Sequence, residues 1–142
     1  MSKRRNGLPR MLSRAQIRED AAQRELAARV RESEAQRAEH LEREAKLRAA
    51  QDRAPEPTNA TAFQRSRVVL AASAQAVDDA AAAAQDAMEQ VRVAQRQLLD
   101  VARERKTLER LDDRDRALLA VLASKAAQRS LDDLANRRRN TP

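Results

Sequence analysis

Pro55 and Pro57 stand a residue apart in Ala54-Pro55-Glu56-Pro57-Thr58-Asn59-Ala60, and no other proline or glycine occurs between residues 10 and 141. A proline has no amide to donate and turns its predecessor away from the α region. A helix entering this segment must therefore stop near Arg53, and nothing forces another stop before the basic end of the chain. Ala, Arg, Leu, Gln and Glu, all strong helix formers, fill the two flanking stretches, with no Trp, Tyr or Cys and Phe63 as the single aromatic residue. Strands call for β-branched and aromatic residues joined by glycine-containing turns, so sheets are excluded. The expected fold is all-α: a long antiparallel two-helix coiled-coil hairpin with an overhanging C-terminal helix. Large side chains are too few for an ordinary globular core.

The expected divisions are a basic N-terminal segment at 1–12, a first coiled-coil helix at 13–53, a proline turn at 54–60, a longer second helix at 61–139 and a tail at 140–142. Gly7 and Pro9 are expected to leave the first segment frayed. Ser13-Arg14-Ala15-Gln16 and Thr61-Ala62-Phe63-Gln64 both match the capping box, and Leu12 with Ile17 has the spacing of a hydrophobic staple. Acid-before-base pairs four apart at Asp20/Arg24, Glu25/Arg29, Glu39/Arg43, Glu42/Lys46 and Glu44/Arg48 support the first helix. Its apolar line, Ala22, Leu26, Val30, Ala38, Leu41 and Ala45, is thin and breaks around Ser33 and Arg37. It fits one strand of a coiled coil or a solvated single helix, and the complementary downstream stripe favours the coiled coil. That stripe places Val77, Ala84, Val91 and Leu98 seven apart, with Ala80, Ala87, Ala94 and Val101 between them, which is a heptad seam of small residues. Around Leu108 and Leu111 the register is expected to slip. Asp112, Asp113 and Asp115 are expected to interrupt the seam.

Helix lengths of about 41 and about 78 residues correspond to about 60 and about 115 Å. A hairpin pivoting at the prolines would set Ser13 beside Val101 and leave the end of the second helix without a partner, although 111–134 is more apolar than the paired part. Leu118, Leu119, Val121 and Leu122 nearly encircle the helix there. Such a patch marks an interaction surface. A bend at the aspartates into a three-helix bundle, or end-to-end pairing of two copies, would also cover it.

The net charge of +7 places 14 Lys/Arg against 9 Asp/Glu up to Arg53 and 15 against 13 after it. Mixed signs make a solvated helix surface, whereas phosphate binding wants a one-signed stripe with aromatics for stacking. Nucleic acid is therefore not expected as the main partner. No uncharged run is long enough to span a bilayer, and the absence of cysteine fits a reducing compartment. No catalytic, cofactor or metal residues are expected. His40, the lone histidine, reads as a surface residue beside Glu39 and Glu44, and a single glycine cannot build a phosphate loop.

Lys106-Thr107-Leu108-Glu109-Arg110-Leu111, followed by Ser130-Leu131-Asp132-Asp133-Leu134-Ala135-Asn136-Arg137-Arg138, resembles the C-terminal signature of the FliJ family, soluble components of the flagellar protein export apparatus. A short first helix, a turn, a longer second helix and a basic tail extend the likeness along the chain. The resemblance implies a non-enzymatic stalk whose joined termini enter the centre of a hexameric export ATPase. It also implies contacts with the membrane-embedded export gate and with export chaperones, and a cytoplasmic place at the inner face of the cell membrane. Carried onto this chain, the ATPase end would comprise Leu108, Glu109, Leu111, Leu131, Asp132, Leu134, Arg137 and Arg138, to which the apolar patch adds Leu118 and Leu122. The gate-contacting surface would fall near Phe63, Val69 and Leu70. The alternative is a basic coiled-coil adaptor or nucleic-acid-associated structural protein, in which the arginine-rich termini hold phosphates.

Overall fold

In the computed structural model, residues 7–54, 56 and 58–139 are described, and the expectations for residues 1–6, Pro55, Pro57 and the tail 140–142 lie outside them. Two α-helices account for nearly all of it, α1 at Gly7–Arg53 (47 residues) and α2 at Ala60–Arg139 (80 residues), with no strand among the described residues.

Both helix starts depart from the capping boxes. α1 begins at Gly7 and passes through Pro9 and Ser13 without interruption. Pro9 falls in the first turn, where the four leading amides have no intrahelical acceptor, so its missing N–H removes no bond. The expected fraying therefore does not occur over 7–12. At α2 the cap is Asn59: its Oδ1 accepts the Ala62 amide at 2.8 Å, and its carbonyl accepts the Phe63 amide at 3.1 Å, the first bond of the helix. Thr61 lies inside that first turn. At the other side of the turn the Ala54 amide reaches the Gln51 carbonyl at 3.4 Å, a tightened last turn before the proline. Of the acid-before-base pairs on α1, Glu25/Arg29, Glu39/Arg43, Glu42/Lys46 and Glu44/Arg48 form, at 2.7, 2.9, 2.6 and 4.0 Å. Asp20/Arg24 does not.

The two helices pack against each other as an antiparallel pair, and the chain divides into two compact units, one of Met1–Glu19 with Val101–Pro142 and one of Asp20–Asp100. In the second unit the inward face of α2 runs through Leu70, Ser73, Val77, Ala80, Ala84, Ala87, Val91, Ala94 and Leu98, the expected heptad seam. Its most buried members are Ala80, Ala87 and Ala94. The facing line of α1 agrees with expectation only at Ala22, Leu26 and Val30. Beyond them Ala38, Leu41 and Ala45 are exposed, and Ser33, Gln36, His40, Glu44 and Leu47 turn inward. His40 is thus half-buried beside Glu44 at 3.7 Å, where the sequence suggested an exposed side chain. The reason is geometric: a seam keeps its period along the helix, and the apolar residues of α1 leave that period after Val30. Alanines facing polar side chains also leave a gap of about 400 Å³, open to solvent, between Gln36, Glu39 and Arg43 on α1 and Ala76, Asp79, Ala80 and Ala83 on α2.

In the first unit Leu8, Leu12 and Glu19 are half-buried on α1 and Ala15 is fully buried; α2 contributes Val101, Arg105, Leu108 and Asp112. The expected slip near Leu108 and Leu111 is absent. The seam keeps its three-and-four spacing through Arg105, Leu108 and Asp112, leaving Leu111 outside it at 45% exposure. Asp112 does not interrupt the seam: it is the last inward residue, its carboxylate held 2.7 Å from Arg116.

Candidate functional site

Every residue from 113 to 139 is exposed, although the stretch remains helical and carries six large apolar side chains, Leu118, Leu119, Val121, Leu122, Leu131 and Leu134. Leu118 is 54% exposed, Leu122 62%, Leu131 66% and Leu134 58%. Leu118 and Leu122 are one turn apart and share a face, as do Leu131 and Leu134. Leu131 follows Leu122 by nine residues, two and a half turns, so the two pairs lie on opposite sides of the same helix. Leu119 and Val121, also exposed, fill in between. Two serines within the patch turn back on their own helix: Ser124 Oγ donates to the Val121 carbonyl at 2.9 Å and Ser130 Oγ to that of Ala127 at 2.8 Å. Large apolar side chains therefore project on opposite sides of the helix, with the exposed charges of Lys125, Arg129, Asp132 and Asp133 among them, and one flat partner cannot cover them all.

The other residues expected at this end separate into two environments. Leu108 and Glu109 are half-buried in the helix pair, with Glu109 accepting from Arg105; Leu111, Asp132, Arg137 and Arg138 are exposed. Leu108 thus packs within the chain instead of offering a surface.

Near the start of α2, Phe63 and Val69 are exposed while Leu70 turns into the seam. The Arg67 guanidinium lies over the Phe63 ring, 5.8 Å from its centroid, a cation–π contact one turn along. Val69 faces a shallow hollow with Ala50, Arg53, Ala54, Arg65, Ser66 and Leu70. Val68, at 68% exposure, is the more accessible neighbour and lines two further hollows with Gln64 and its flanking arginines. Sequence reasoning passed over Val68 because adjacent valines look alike until the helix phase is known.

Sequence reasoning also missed Glu19 and Arg105. Arg105 donates to Glu19 across the helix pair and to Glu109 along its own helix, and these two bonds, Glu19 first, raise its guanidinium above the ordinary arginine value. Arg18 pairs with Glu104 beside them at 3.2 Å. The signal was available: starting α1 at Gly7 would have read Leu8, Leu12, Ala15, Glu19, Ala22 and Leu26 as one seam.

Among the described residues no three His, Asp, Glu or Cys side chains gather to hold a metal, and no helix is long and apolar enough to cross a membrane. Searches of curated proteins and of solved structures return no match. The family model described as Flagellar FliJ protein matches residues 5–141.

Proposed function

The chain belongs to the FliJ family and is a component of the flagellar export apparatus, and from that premise we propose that it is a non-enzymatic stalk whose C-terminal helix is held in the centre of a hexameric export ATPase. One observation carries the reading. The exposed leucines lie on opposite sides of a single helix, so the partner that buries them must surround it, as the wall of a central hole does. Leu118 and Leu122 on one side and Leu131 and Leu134 on the other are the anchors; Leu111, Glu109, Asp132, Arg137 and Arg138 lie along the same segment. Conversion of chemical energy then belongs to the ring, and this chain acts by filling its axis.

On the same reading the surface near the start of α2, with Phe63, Val69 and the adjacent Val68, contacts the membrane-embedded export gate, and the chain receives export chaperones at the cytoplasmic face of the membrane. Leu70 contributes there by holding the seam.

The test is a pull-down of the purified full chain against cytosol of its own organism, nuclease-treated and at moderate salt. A hexamer-forming ATPase should be retained, and Leu118→Asp and Leu131→Asp should each abolish its retention. Loss in both variants is what an enclosing partner requires. Retention of only nuclease-sensitive or salt-labile material would replace the stalk with the basic adaptor.

A further inference from the structure

The α2 seam of the second unit repeats itself. Val77, Ala84, Val91 and Leu98 stand seven apart, as do Ala80, Ala87 and Ala94, and the α1 side chains facing them between Val30 and Leu47 are polar. Sliding one helix along the other by seven residues would return similar small apolar residues to the seam, so this packing discriminates poorly between registers. Such a slip moves one helix by about 10 Å along its partner.

The first unit breaks this degeneracy. Arg105 is the only charged residue on the inward line of α2 between Leu70 and Leu108, and Glu19 is its counterpart across the pair. Both are largely withdrawn from water, with side-chain exposures of 24% and 14%. Glu109 occupies the remaining face of the guanidinium. In the observed register each charge meets its opposite. After a slip of seven residues one way, Glu19 would face Leu98 and Arg105 would face Leu12; after a slip the other way, Glu19 would face Asp112 and Arg105 would face Leu26. Each alternative strands a charge against an apolar side chain, and one also opposes two carboxylates.

We propose that Glu19 and Arg105, with Glu109 orienting the guanidinium, lock the register of the hairpin and thereby set how much of α2 continues beyond the start of α1. A single polar residue at a seam position is the best-attested device for choosing among coiled-coil registers, at a cost in stability.

Because the chain has no cysteine, the register can be read by paired single substitutions and oxidative cross-linking of the dilute full chain. Arg18→Cys with Glu104→Cys reports the observed register; Arg18→Cys with Gln97→Cys or with Leu111→Cys reports the two slipped ones. With the charged trio intact, the first pair should link at least about tenfold more than either other pair. In a Glu19→Leu, Arg105→Leu background the helix content should persist while the slipped pairs rise to within about threefold of the first. Exchanging the charges with Glu19→Arg, Arg105→Glu and Glu109→Arg should restore the original preference. An unchanged preference in the leucine background, or a folded charge-exchanged chain that still slips, would overturn the proposal.

Discussion

At the residue scale the helix pair is held by alanine. Ala15 is fully buried and Ala94 4% exposed, while no large side chain among the described residues is fully buried. A methyl group buries little area, so each contact is weak and depends on close backbone approach. Ala94→Leu should therefore push the helices apart and cost about 1–3 kcal/mol, read as a fall in the thermal midpoint. Asn59 acts through one hydrogen bond to the Ala62 amide, and Asn59→Ala should cost about 1 kcal/mol in the same measurement, whereas Thr61→Ala should leave the midpoint nearly unchanged. The sequence pointed to Thr61 because a capping box is defined by residue type and spacing. Which of two adjacent candidates caps the helix depends on where the chain leaves the turn, and that is geometry.

At the element scale the two helices differ in how faithfully they keep a seam. α2 holds its period from Leu70 to Asp112, and the part from Val77 to Val101 was legible because valine, alanine and leucine recur there without ambiguity. α1 keeps it too, but with Ser33, Gln36, His40 and Glu44 at inward positions, so the apolar residues of that half mark the wrong face. Replacing Gln36 and His40 together by leucine should stabilise the hairpin by about 1–3 kcal/mol, since both turn inward while their polar atoms bond only to Glu32 and Glu44 of their own helix. Denaturant unfolding would measure it, and a loss of stability would mean that the polar stretch is held by contacts other than the seam. In the exposed part of α2, Leu118→Asp and Leu131→Asp should leave the circular dichroism spectrum and midpoint close to those of the unaltered chain, because neither leucine packs against α1.

At the scale of the whole molecule, fold and function rest on different parts of the helix pair. The apolar seam that α2 presents to α1 is nearly uniform, and a uniform seam gives affinity without choosing an alignment. Alignment is set by the charged trio, so removing Glu19 and Arg105 should let the slipped cross-links form while the helix content persists. The candidate partner surface draws on neither. It consists of leucines that the pairing leaves uncovered, which is why substituting them should separate binding from folding.

Sequence patterns were enough to establish that the chain is all-helical, that two long helices pair in a hairpin and that α2 carries a heptad seam. Each of these follows from local propensity or from a period visible along one helix. The tertiary structure alone decided where α1 begins, that its inward face passes through His40 and Glu44, that Leu108 and Leu70 are packed and Val68 is free, and that Glu19 meets Arg105 across the pair. Those are questions of phase between two helices, and phase is set by what faces what, which no single helix encodes.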